Sequence, residues 1–495
     1  MVAESMESVA EGILSDQEIE RGLRSVIRDG LASQAMATLA GGPFLVALML
    51  KMGASNLAIG LLAAIPPFAQ LIQLPSILLI EKVRRRRMIT MSASALSRMS
   101  WFFIALIPLV FPMEMGLKLI FVAISFNAVF SAVSNSSWNS WMRDLIPEDR
   151  LGSFYSRRMM LASMLGIPLS FAAAFYLDQW KRLFPDHEIY AYSVLFSLGF
   201  FAGILGVYFI STIPEPRMAS VEEKTGFFRM IALPFRNENF KNLIMFMGSW
   251  SFAVSLGAPF FTVYMLKRLQ LDMSYIIGLS ILSQFVNVVF LRIWGRFSDR
   301  FSNKSVLGVS GPLFLVCFIA WTFTTMPEKH FLTIPLLVLI HIFTGISIAG
   351  AALASGNISL KLAPKGQATA FLAANSVVNS FAAGIAPILG GKFADFFVGR
   401  ELAWNLKWTS PDKELTIQTL NLQQWDFFFF IAFLVGLYSL HRLTMVKEVG
   451  EVEEKIVIRE LFTEVRRKML DLSTVDGIRQ IVGFPFSRIR KFTKL

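Results

Sequence analysis

Four ionisable side chains lie inside or at the ends of long apolar runs: Arg98, His341, Lys392 and Asp395. A charge at mid-membrane depth costs about 2.5–3.5 kcal/mol even on the mildest scale, so each needs a partner or a task. His341 can titrate near neutral pH, which makes it either a proton carrier or a satisfied core imidazole. Asp29, at the edge of the first apolar run, is the second proton-carrier candidate. Lys392 and Asp395, three apart on one helical face, can pair with each other. Arg98 can be satisfied by backbone carbonyls or by snorkelling. Neutral polar residues are better placed to recognise a small solute. Gln284 and Asn287 are three apart and Asn375 and Asn379 four apart, so each pair shares a helix face, where interhelical hydrogen bonding is the competing role. The chain has no HExxH, GxSxG or Walker A pattern, and its single Cys317 permits no intrachain disulfide and no CxxC motif. Neither enzyme chemistry nor a cofactor or metal is expected.

The elements that must hold these residues are membrane spans. The 495 residues are 54% hydrophobic and 17% charged, with mean hydropathy +0.56, where a soluble domain carries about 25% charged residues. Runs of roughly 20 apolar residues, enough to cross a bilayer, occur twelve times. They fall at about 30–50, 56–80, 88–111, 117–142, 159–178, 190–212, 242–266, 273–294, 305–326, 331–357, 367–391 and 425–445. The net charge of +12 sits in short runs between them, so no basic face for nucleic acid exists. Loops on one side carry roughly twice the Lys and Arg of the other, which predicts both termini in the cytoplasm. Acidic residues before the first run (Glu11, Asp16, Glu18, Glu20) argue against a cleaved signal peptide.

The spans divide into two sets of six, 30–212 and 241–445, preceded by an amphipathic segment 1–29, joined by a polar linker 213–240 and followed by a tail 446–495. Pro147, Phe154 and Asp178 recur as Pro364, Phe371 and Asp395, each 217 positions on, and Glu81-Lys82 recurs as Asp299-Arg300, 218 on. A common offset across a whole helix favours a duplicated unit, and parallel repeats of six spans predict an all-α transporter that rocks one half against the other.

Gly295-Arg296-Phe297-Ser298-Asp299-Arg300-Phe301-Ser302-Asn303-Lys304 closes the eighth span. This loop resembles the signature of the major facilitator superfamily, roughly Gly-x-x-x-Asp-Arg-x-Gly-Arg-Lys/Arg. Gly295, Asp299, Arg300 and Lys304 match, while Ser302 and Asn303 depart. In the first half Glu81 and Lys82 stand for Asp-Arg, and Arg84 stands for the second glycine. The resemblance covers nearly all of the hydrophobic region. It implies that Asp299 and Glu81 latch the cytoplasmic ends of the halves, with Arg150, Arg157 or Arg158 and nearby helix amino termini as partners. It also assigns the first, fourth, seventh and tenth spans to the central cavity, which makes Gln34, Thr38, Asn127, Trp250 and His341 candidate lining residues. The antiporter motif of the family's drug exporters is not matched: the fifth span offers only Gly166-Ile167-Pro168. Gly384-Ile385-Ala386-Pro387-Ile388-Leu389-Gly390-Gly391 in the eleventh span reads as tight helix packing.

Ser15-Asp16-Gln17-Glu18 forms a capping box, and the carboxyl tail carries an apolar stripe (Ile458, Leu461, Phe462, Val465) opposed by basic residues that suits a membrane surface. The outer loop of about 398–424, with Trp404 and Trp408, is long enough for an entry lid, or it rests on headgroups. The function expected is a monomeric transporter moving a small solute by alternating access across a bacterial-type inner membrane, with protons as a possible coupling ion. The rival reading is a sensor or lipid flippase built on the same fold.

Overall fold

The computed structural model describes residues 15–147, 150–216, 218, 233–325, 328–364, 368–410, 413–452 and 454–472. Most of the linker, Glu148 and Asp149, and the tail beyond 472 lie outside these residues. Among the described residues there are up to twelve helical spans long and apolar enough to cross a membrane, each broken span counted once. The first is a pair of helices, α1 (Asp16–Ala40) and α2 (Gly42–Lys51), and so is the second, α3 (Asn56–Gln70) and α4 (Gln73–Val83). The next four are α5 (Arg86–Val110), α6 (Met113–Leu145), α7 (Leu151–Leu183) and α8 (Glu188–Ser211). The last six are α9 (Glu238–Lys267), α10 (Met273–Arg300), α11 (Asn303–Thr322), α12 (Thr333–Leu362), α13 (Ala368–Phe396) and α14 (Trp425–Thr444).

Local chemistry sets the breaks. Ser15 accepts from the Glu18 amide while the Glu18 carboxylate accepts from the Ser15 amide at 3.0 Å, so the capping box starts α1. From there α1 runs unbroken through residues 29 and 30, so the amphipathic segment and the first span are one helix. The interruption comes at Gly41–Gly42, where Gly42 takes φ +56°, open to glycine without strain, and Pro43 offers no amide to continue the ladder. The second span bends by 46° after Pro66-Pro67.

Contacts between the first and last six crossings come from the segments at the end away from the basic loops. The broken halves α2 and α3 pack against α9 and α13, and α7 packs against α10. The segments nearest the basic loops, α1 and α4, make no comparable contact with the last six crossings. Glycines let α3 and α13 meet backbone to backbone. A Cβ on Gly60 would lie 2.1 Å from the Pro387 carbonyl oxygen, and one on Gly391 would lie 2.4 Å from that of Asn56. Gly384 admits the Phe68 ring in the same seam, as the packing reading of this glycine run expects.

Between α13 and α14 the loop of 397–424 holds an antiparallel hairpin, β1 (Glu401–Ser410) with β2 (Lys413–Gln423), irregular at Trp404/Asn405. Beyond α14, helix α15 (Glu454–Leu472) lies across the basic ends of α10 and α11.

Candidate functional site

A cavity of about 390 Å³ opens between α1, α2, α7 and α10, at the break in the first span. Its polar lining is neutral: Gln34 and Thr38 from α1, Ser163 and Ser170 from α7, Ser280 and Gln284 from α10. No ionisable side chain borders it among the described residues. Pro43, Ile167, Ile277 and Ile281 make the apolar part of the wall. Each helix turns two polar groups inward at whole-turn spacing, four apart on α1 and α10 and seven on α7. Gln34 donates to Thr38 at 3.1 Å, which fixes its carboxamide. Gly166 makes room for that group, since a Cβ there would lie 2.8 Å from Gln34 Nε2. Ser163, Gly166, Ser170 and Ser280 escaped the sequence reading. The signal available was the helical spacing of Ser280 from Gln284.

Other expected lining residues lie elsewhere. Asn127 donates to the Ser97 carbonyl at 2.7 Å, tying α6 to α5. Trp250 packs on Phe246 and Phe314 among the last six crossings. His341 is buried, with Nδ1 donating to the Leu337 carbonyl at 2.8 Å and its ring edge-on to Trp321. Asn375 donates to Ser359 at 3.2 Å, joining α13 to α12. Asn287 is half-buried without a hydrogen bond among the described residues, and Asn379 keeps its Oδ1 buried and unpartnered. None of these six borders the cavity. Four of them, Asn127, Trp250, His341 and Asn375, bond or pack against neighbouring helices, which is the commoner fate of polar groups inside a bundle.

Asp29 is also turned away. Buried on α1, it pairs with Arg98 at 3.1 Å and Arg158 at 3.7 Å and accepts from Ser33 at 3.1 Å. Arg98 in turn donates to the Gly203 carbonyl at 2.6 Å. Gly206 accommodates this guanidinium, because a Cβ there would sit 2.2 Å from Nη1. Two cations on one carboxylate, with carbonyl and hydroxyl partners, are what a buried charge needs in a low-dielectric bundle.

At the end opposite the basic loops, two carboxylates clamp the sets of crossings together. Asp178, near the carboxyl end of α7, accepts from the Met273 amide at 3.0 Å and the Ser274 amide at 2.8 Å, and from the Ser274 hydroxyl, at the start of α10. Asp395, at the carboxyl end of α13, accepts from the Asn56 amide at 3.1 Å and the Leu57 amide at 2.8 Å at the start of α3. Each acid satisfies unpaired amides and meets the positive end of a helix dipole. Lys392, its expected partner, is exposed and makes no ion pair with Asp395.

The family model for the Major Facilitator Superfamily matches residues 30–387 and 279–468. The chain belongs to that superfamily. Its fold is shared with other superfamily carriers of known structure. One is the nucleoside transporter NupG, with a TM-score of 0.61 at 12% identity over 88% of this chain and 100% of that one. Another is a D-xylose–proton symporter, with 0.60 at 14% over 88% and 100%. A third is a bacterial homologue of the iron transporter ferroportin in an inward-facing state, with 0.60 at 11% over 88% and 100%. Among curated proteins, none matches the sequence significantly. Superfamily membership makes this chain an integral membrane solute transporter.

The superfamily's signature loop is held apart from the opposite half here. Asp299 is exposed and has no hydrogen bond or ion pair among the described residues, and Arg150 pairs with Glu20 at 3.0 Å instead. The loop's cations turn to the tail: Arg300 to Glu460 at 3.2 Å, Arg296 to Glu464 at 2.7 Å, Lys304 to Glu451 at 2.7 Å. Gly295 lies 3.9 Å, by its would-be Cβ, from Leu353 of α12. In the first half Glu81 is half-buried, its carbonyl accepting from Arg84, and Lys82 is exposed. Arg84, standing where the signature has glycine, adopts φ 54°, ψ 21°, the left-handed cap glycine favours.

Each half also carries a glutamate after its last span that caps its own third span. Glu215 accepts from the Arg86 amide, and Glu448 from the Lys304 amide at 2.7 Å. Glu448 further accepts from Asn303 at 2.9 Å and Lys361 at 2.8 Å. It lies 233 positions after Glu215, the excess over 217 being chain inserted at the outer hairpin. Burial pushes the Glu448 carboxyl up, but the Lys361 ammonium and the α11 amides outweigh it and hold the group below its ordinary value.

Proposed function

We propose that this transporter works by alternating access and stands here with its outer side shut and its cavity open toward the basic, cytoplasmic side. One observation carries the reading: the carboxylate clamps joining the two sets of crossings lie at the outer end, while Asp299 at the other end is unengaged. A small solute would enter between α1, α7 and α10 from the cytoplasmic side and leave when the clamps part. The separation of charge between loops supports an inner-membrane placement with both termini cytoplasmic, and the protein acts as a monomer. Since Asp29 and His341 both face away from the cavity, we propose that the solute moves down its own gradient. Reconstituted vesicles test this together with labelling. In a Cys317→Ser background, Ser163→Cys is expected to react with a thiol reagent from the cytoplasmic side, and solute uptake is expected to survive a protonophore. Labelling from the outer side alone, or uptake abolished by the protonophore, overturns the corresponding part of the reading.

A further inference from the structure

Resting on the transport reading above, we infer that the substrate is an uncharged, polyhydroxylated solute. Among the described residues no counter-ion borders the cavity, so a charged solute would shed water without gaining a partner, a cost of several kcal/mol that transporters of ions meet with opposite charge. The lining is instead made of carboxamides and hydroxyls, and the orientation of the hydroxyls is informative. Ser170 donates to the Ile167 carbonyl at 2.8 Å and Ser280 to the Ile276 carbonyl at 2.9 Å. Both protons are spent on backbone, so both oxygens face the cavity as acceptors. Gln34 has spent one N–H on Thr38 and keeps its Oε1 and a second N–H. The Gln284 side chain has no intramolecular hydrogen bond among the described residues and offers both functions. A solute filling this set must donate several hydrogen bonds as well as accept them, which hydroxyl groups do and carboxylates and quaternary amines do not. The Ile167, Ile277 and Ile281 side of the wall suits the C–H face of a ring or chain. A volume of about 390 Å³ lies toward the small end of the usual range for small-molecule sites, about 300–1,000 Å³.

The test uses the purified full-length protein and a fixed panel at tens of millimolar: D-glucose, sorbitol, glycerol and uridine against L-glutamate, L-lysine, citrate and choline. Thermal stabilisation and counterflow in proteoliposomes are read in parallel. At least one neutral member is expected to stabilise the protein and to exchange, and the charged members to do neither. Sugar or polyol against uridine distinguishes a bare polyol from one carrying a base. Gln284→Leu, on an exposed face without a fold-supporting bond, should weaken the neutral ligand about tenfold, and Ser280→Ala, which removes an acceptor without changing bulk, should weaken it as well. Stabilisation by a charged member, or by no neutral member, overturns the assignment. Flux of a charged member in that case leaves the transporter standing and only the class wrong, whereas neutral ligands that bind without exchanging overturn transport and keep the class.

Discussion

Asp178 and Asp395 are 217 positions apart, and each uses both carboxylate oxygens to cap the amino terminus of a helix from the opposite set of six. The capped residues keep the offset, since Asn56-Leu57 and Met273-Ser274 are also 217 apart. A charge-assisted hydrogen bond contributes about 1.5–3 kcal/mol. Asp178→Asn keeps the shape and removes the charge, so the outer-open population should rise about tenfold. An Asn56→Cys reporter, buried at this contact in the Cys317→Ser background, should then react faster with an impermeant thiol reagent from outside. Unchanged labelling in both Asp178→Asn and Asp395→Asn would show that helix packing alone shuts this side.

Asp29 and Arg98 should behave as a structural pair. Asp29→Asn leaves the buried Arg98 guanidinium, and the half-buried one of Arg158, without their anion and should cost about 3–5 kcal/mol, read as a large fall in the unfolding midpoint. Asp29→Asn with Arg98→Gln should cost less than the sum of the single changes. Additive losses would mean the two side chains act independently.

Glu448 gives a pH signature. Its carboxyl is held below the ordinary value of 4.5, so its stabilisation is complete above that value and is lost as pH falls through the lower folded value. Glu448→Gln should lower stability by about 1.5–3 kcal/mol at pH 7, and the difference from the parent should shrink below pH 4.5. A difference that is constant with pH would assign the effect to shape.

Arg84→Gly should stabilise the protein by about 1 kcal/mol, because a side chain in the left-handed region costs about 1–2 kcal/mol and glycine loses part of that gain to chain entropy. A lower melting midpoint would mean the Arg84 side chain earns its place through contacts.

Gly166→Ala probes the cavity. The added methyl must displace Gln34, so the KM for uptake should rise about three- to tenfold with kcat and melting midpoint little changed. An unchanged KM would remove Gln34 from the site.

The spans were legible because twenty-residue apolar runs have no other use, and Asp178/Asp395 were legible as a repeated pair. What they touch was not: Lys392, three residues from Asp395, was the nearer partner in sequence, and the true one lies across the bundle. Gln34, Thr38 and Gln284 reach the cavity while His341 and Asn127 do not, because which face of a span turns inward depends on packing with helices distant in the chain. Gly166 shows the same limit, since its task is set by Gln34, over 100 residues earlier. The hairpin was missed although Leu402, Trp404, Leu406 and Trp408 alternate with more polar residues at the period of a strand. Its two strands pair only with each other between two membrane spans, so no sheet elsewhere in the sequence points to them.

The two carboxylate clamps bear on sidedness. The clamps at Asp178 and Asp395 exist only while the outer side is shut, so the empty carrier must release both before it can receive solute from outside. A site occupied in a minority conformer shows an affinity reduced by that minority fraction. On the proposed cycle, the same Gln34 and Gln284 would present a weaker apparent affinity to the outer solution than to the cytoplasm. Efflux would saturate at lower solute concentration than influx, a kinetic asymmetry that needs no energy source and leaves the net flux zero at equal concentrations.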